Sequence, residues 1–107
     1  MISRIRIGHM LVDVRLDELE EDRIGEYRYR SGEIRISGGL KPDIQAVTLL
    51  HEIFHAFMAD RGRNAGMTEE QEEEEVTFWA SAVSTLIADN PSLAVYLLRA
   101  YGDRDSA

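Results

Sequence analysis

Residues 46–62 read "AVTLLHEIFHAFMADRG", and how this stretch folds decides how the rest of the chain must be arranged. Pro42 suits the first turn of a helix, and Asp43 beside it complements the positive end of the helix dipole. The apolar residues Ile44, Val47, Leu49, Leu50, Ile53, Phe54, Phe57 and Met58 then surround most of a helical circumference up to about Asp60, with Gly62 as the stop. A helix apolar nearly all round is a central one. Yet it carries His51, Glu52 and His55, three side chains that are expensive to bury without partners.

Residues four apart share one helical face, so His51 and His55 can aim two imidazole nitrogens at one point, with Glu52 one step round. That is the arrangement of two zinc ligands and a general base acting on a metal-polarised water. The competing explanation is two core histidines bonded to backbone. It leaves a buried carboxylate and two imidazoles each in need of a separate partner, whereas one cation answers all three.

A hydrolytic zinc site of this type has a third protein ligand. The chain has no cysteine, and its only other histidine is His9. The acidic run "EEQEEEEV" at 69–76 opens the next long helix, marked by the capping-box spacing of Thr68 and Gln71. In helical phase Glu72, Glu73 and Glu75 project onto or beside the stripe of Val76, Trp79, Ala80, Val83, Leu86 and Ile87. Glu75, one turn ahead of Trp79, ranks first as ligand; Glu72 follows, with Glu73, Glu74 and His9 behind.

Working outward, "RIRIGHMLVDV" alternates as a strand with a slip near Gly8. "EYRYRSGEIRIS" reads as a hairpin, with Tyr27 and Tyr29 on one arm, Ile34 and Ile36 on the other, and Ser31-Gly32 at the turn. Were the "GEIRIS" strand at the sheet edge, its free backbone groups would offer an extended peptide a place beside the metal. The equal alternative is that it only supplies Ile34 and Ile36 to the core. Asn90 and Pro91 begin a last helix to Tyr101, and residues from about 102 to 107 read as a frayed tail. Tyr27, Tyr29, Tyr96 and Tyr101 are equivalent candidates for an oxyanion donor.

The 107 residues carry a formal net charge of −8. That length suits one domain over residues 1–107, and that charge argues against nucleic acid or an anionic membrane as partner. Without cysteine, disulfides are excluded, and with no signal-like or membrane-length apolar run the expected location is cytoplasmic.

At "GEIRISGGLKPDIQAVTLLHEIFHAF" the chain resembles the ImmA/IrrE family of zinc metallopeptidases, and "EVTFWASAV" is similar to that family's second helix. The closing "LIADNPSLAVYLL" is similar to the ending of small phage and prophage members. The resemblance implies one Zn2+ held by His51, His55 and Glu75, with Glu52 as catalytic base. It implies a zincin-like α+β fold: a small antiparallel sheet of about three strands packed on the central helix, a long glutamate-bearing helix and a short C-terminal helix. It also implies a protein or peptide substrate, with a transcriptional regulator as the class that larger relatives cleave.

Two functions follow. The leading one is a zinc-dependent endopeptidase acting on an intracellular protein. The competing one is a non-catalytic, zinc-stabilised interaction module, for which a fourth protein ligand such as His9 would argue.

Overall fold

A computed structural model of the chain describes residues 2–19 and 22–102. It is α+β, with strands β1 (Arg4–Ile7), β2 (Met10–Asp17), β3 (Gly25–Arg28) and β4 (Glu33–Ser37) followed by helices α1 (Pro42–Asp60), α2 (Glu69–Asp89) and α3 (Pro91–Gly102). The strands form one sheet in the order β1-β2-β4-β3. Two pairings are antiparallel hairpins, β1 with β2 and β3 with β4, and the central β2–β4 pairing is parallel.

This corrects the expected three-stranded antiparallel sheet in both number and direction. The slip foreseen near Gly8 is a complete reversal. Gly8 adopts φ +59°, a conformation that costs glycine nothing, and it splits the first apolar segment into two strands. The second expected hairpin is present, although Tyr29 falls in its turn rather than on its arm.

The sheet has two different faces, as strand alternation requires. Ile7, Val12, Val14, Ile34 and Ile36 point to one side and form the core together with Ala56 of α1. The other side is lined with ion pairs between strands: Arg4 to Asp13 at 3.0 Å, Arg35 to Glu26 at 3.1 Å and to Asp17, and Arg15 to Glu33 at 3.5 Å. Arg4 stands directly opposite Asp13, and Glu26 opposite Arg35, so the pairs reinforce the register that the apolar face imposes.

Helix α1 lies across the apolar face. From Val47 to Asp60 none of its residues is exposed, as expected of a central helix. Its tightest stripe is Thr48, Glu52 and Ala56, at four-residue spacing. That stripe is small and polar because α1 runs close over β3. A Cβ added to Gly25 would stand 2.7 Å from Thr48 Cγ2 and 3.2 Å from Glu52 Oε2, so glycine is what permits the approach.

The end of α1 is fixed by a Schellman motif. Gly62 takes φ +65°, its N–H donates to the Ala59 carbonyl at 3.3 Å, and Arg63 N–H donates to Met58 at 3.0 Å. After a short loop the expected capping box opens α2: Gln71 N–H donates to Thr68 Oγ1 at 3.1 Å, and Thr68 N–H donates to Gln71 Oε1 at 2.9 Å. Asn90 serves both helices: its carbonyl accepts from Leu93 N–H at 2.9 Å where α3 starts at Pro91, as expected, and its side-chain amide donates back to the Leu86 carbonyl at 2.9 Å at the end of α2. The expected tail beyond Gly102 lies outside the described residues. No helix among these is long and apolar enough to cross a membrane.

Candidate metal centre

The reversal between α1 and α2 lays the start of α2 alongside His51 and His55. Which residues of α2 face α1 is set by burial, and only Val76 and Ala80 of this helix are buried. Glu73 lies three residues before Val76 and seven before Ala80, and Glu72 lies four and eight before them. Those are the offsets of one helical face.

The geometry follows. Both His51 Nε2 and His55 Nε2 meet the Glu73 carboxylate, at 2.7 Å to Oε1 and 2.9 Å to Oε2. These three side chains each present one ligand atom within 4.8 Å of the others. The remaining nitrogen of His55, Nδ1, meets Glu72 Oε2 at 2.6 Å. The two imidazole rings stand edge to face, with centroids 5.0 Å apart.

Glu75, the expected third ligand, is not part of this cluster. Its Oε1 accepts from Arg63 Nε at 3.2 Å and from a second guanidinium nitrogen at 3.1 Å. The ranking that favoured it took Trp79 as the centre of the buried stripe. Trp79 is 50% exposed and stacks edge-on with Phe78, so the true face lies about one residue round the helix. Arg63, placed by the Schellman motif just beyond α1, then takes Glu75 as its partner. Glu74 is exposed.

His9 also stands apart. It lies exposed in the β1–β2 turn, where its backbone N–H points to Asp60 Oδ1 at 3.4 Å. It therefore supplies no fourth donor to the group of His51, His55 and Glu73.

Glu52 is buried, 7% exposed, on the face of α1 turned towards β3. Among the described residues no group hydrogen-bonds its carboxylate. Burial pushes its pKa up to about 7; His55 pulls it down, while Glu73 and Glu26 add to the rise. A carboxyl so poised can both accept and release a proton near neutral pH.

These groups line a cleft of about 1140 Å³ whose other wall is β3 and the loop before α2. Tyr27 and Tyr29 border it; Tyr96 and Tyr101 are on α3 and do not. Tyr27 is partly buried, with its hydroxyl 3.8 Å from Met10 Sδ, and burial raises its pKa.

The strand beside the cleft is β3, not the "GEIRIS" strand. That strand is β4, which is paired on both sides and gives Ile34 and Ile36 to the core. The outer side of β3 is the sheet edge among the described residues. The Ile24 carbonyl accepts from Ser37 N–H at 2.8 Å, so by the alternation of an antiparallel ladder Gly25 and Tyr27 turn their backbone groups to the free side. Gly25 was not singled out in the sequence. Its signal was a glycine opening a strand, which often marks close backbone approach.

The donor set fits a borderline cation such as zinc. Two imidazole nitrogens and one carboxylate oxygen make a three-ligand set that leaves coordination positions open. A family model, Peptidase_M78, described as the IrrE N-terminal-like domain, matches residues 7–105 of the chain. No curated protein and no solved structure matches it.

Proposed function

This chain belongs to the IrrE N-terminal-like domain family of peptidases, and we propose that it is a zinc-dependent endopeptidase with His51, His55 and Glu73 as metal ligands and Glu52 as general base. The observation that carries this reading is the convergence of both histidine Nε2 atoms on Glu73 beside a buried Glu52 with no protein partner. We read the packing of the sheet on the HEIFH helix, with the third ligand from the next helix, as zincin-like.

When bound, zinc supplies Lewis-acid polarisation to a water and to the carbonyl of the scissile bond. The chain's own residues do the rest. Glu52 takes a proton from the attacking water, whose oxygen bonds to the carbonyl carbon. As the C–N bond breaks, Glu52 passes that proton to the leaving amine, so one carboxyl serves as base and then acid. The free edge of β3 holds the substrate as an added strand through the backbone groups of Gly25 and Tyr27. Gly25 keeps that edge close to Glu52. The substrate is thus a peptide segment able to extend, in a flexible region of a protein, with an intracellular regulator as the expected class.

Purified protein loaded with zinc and offered a mixed peptide library tests this. Glu52→Gln keeps its metal and loses about 10²–10⁴-fold in cleavage rate. Glu73→Ala loses stoichiometric zinc, and Glu75→Ala retains it. Zinc lost from Glu75→Ala but kept by Glu73→Ala would reverse the ligand assignment. Full cleavage by Glu52→Gln would remove the proposed base.

A further inference from the structure

Glu72, ranked second as a metal ligand from the sequence, meets the cluster from the other side of His55. Its carboxylate meets His55 Nδ1 at 2.6 Å, closer than Glu73 meets Nε2 of the same ring. The Glu72 side chain is also the more sequestered, 20% exposed against 56% for Glu73. Among the described residues His51 has no carboxylate on its Nδ1, so the two histidines are held differently.

A carboxylate can only accept, so a neutral His55 ring carries its one proton either on Nδ1 facing Glu72 or on Nε2 facing Glu73, and the shorter contact, 2.6 Å against 2.9 Å, favours Nδ1. A ring that donates from Nδ1 keeps the Nε2 lone pair for another group. Nε2 is the atom that His55 turns, with His51 Nε2, towards Glu73. Glu72 is itself held in place, because Val76 and Ala80 anchor the face of α2 from which it projects.

We propose that Glu72 is a positioning residue that holds His55 in the Nδ1–H form and so aims Nε2 at the metal. This rests on the ligand assignment above and extends it to the second nitrogen of one ligand. Carboxylates that orient a ligating histidine in this way typically contribute about 10–100-fold in metal affinity.

The test compares wild type, Glu72→Ala, Glu72→Gln and Glu74→Ala, the last an exposed control for loss of one negative charge. Two quantities are read: zinc Kd by chelator competition, and the protonated nitrogen of the neutral His55 ring by 15N NMR of the metal-free protein. Glu72→Ala is expected to weaken zinc by about 10–100-fold and to shift the ring away from Nδ1–H. Glu72→Gln, whose amide oxygen still accepts, falls between, and Glu74→Ala matches wild type. Thermal melting with chelator present checks that each variant folds; should Glu72→Ala fail to, the Gln variant is read by the same two measurements.

An unchanged tautomer overturns the proposal, as does a zinc Kd within twofold of wild type or equal weakening by Glu74→Ala. A wild-type chain that binds no zinc sinks the metal reading itself. Wild-type zinc with an indifferent Glu72 sinks only this extension.

Discussion

The two ends of α2 invert the usual relation between chemistry and burial. Its first turns are acidic, yet Glu72 and Glu75 are partly sequestered against α1 and the loop before α2, and Val76 follows in the core. From Val76 to Ala88 the helix carries no charge, yet Phe78, Trp79, Leu86 and Ile87 are exposed. Helix α3 continues this pattern, with no buried residue and Leu98 at 74% exposure. The site lies beside Val76 and Ala80, the two buried residues of α2, and beyond Ala80 the helix buries none. Where α1 and the sheet supply a surface, even carboxylates are drawn against it; where they do not, large apolar side chains stay outside.

The comparison can be broken most forcefully in the core. Ile36, 0% exposed beneath α1, should cost about 2–5 kcal/mol when replaced by Ala, because the cavity lies in a packed sheet–helix interface. Chemical denaturation measures this, and a loss below about 1 kcal/mol would mean that the sheet does not carry the fold.

Glu52 should come next, and its effect depends on pH. Its pKa in the folded protein is raised from 4.5 to about 7, so the folded state holds the proton more tightly than the unfolded chain. That contribution is fully present below about pH 4.5 and is lost as pH rises through 7. Relative to Glu52→Gln, the metal-free wild type should lose up to about 3 kcal/mol between those limits. Parallel stability curves for the two proteins would refute the burial of Glu52.

Gly8→Ala should cost about 1–2 kcal/mol in thermal denaturation. Its φ of +59° disfavours any Cβ, and the added methyl would strike the Asp60 carboxylate. At the other end Leu98→Ala should change stability by no more than about 0.5 kcal/mol, as for an exposed site. A loss comparable to that of Ile36→Ala would show that α3 is packed after all, and the contrast between the two ends would fall.

Much of this was legible in residue order. The HEIFH helix, its stop at Gly62, the Thr68–Gln71 capping box and the Tyr27–Ile34 hairpin all depend on neighbours a few positions away, through local geometry and hydrogen bonds. His51, Glu52 and His55 fall together for the same reason, since four-residue spacing on one helix brings them to one place whatever else the chain does.

The remaining facts depend on which surfaces meet. Strand order cannot be read from alternation, so the parallel β2–β4 pair and the edge position of β3 appear only when the sheet assembles. The choice among four consecutive glutamates turns on a rotation of about 100° per residue. A large aromatic, Trp79, suggested one phase, and the two smaller residues that fit against α1, Val76 and Ala80, imposed another. Sequence by itself determined that a metal-type histidine pair would sit on a central helix. Tertiary packing alone decided that Glu73 faces that pair, that Glu72 stands behind His55, and that Glu75 goes to Arg63, because proximity between helices is set by the surfaces they bury.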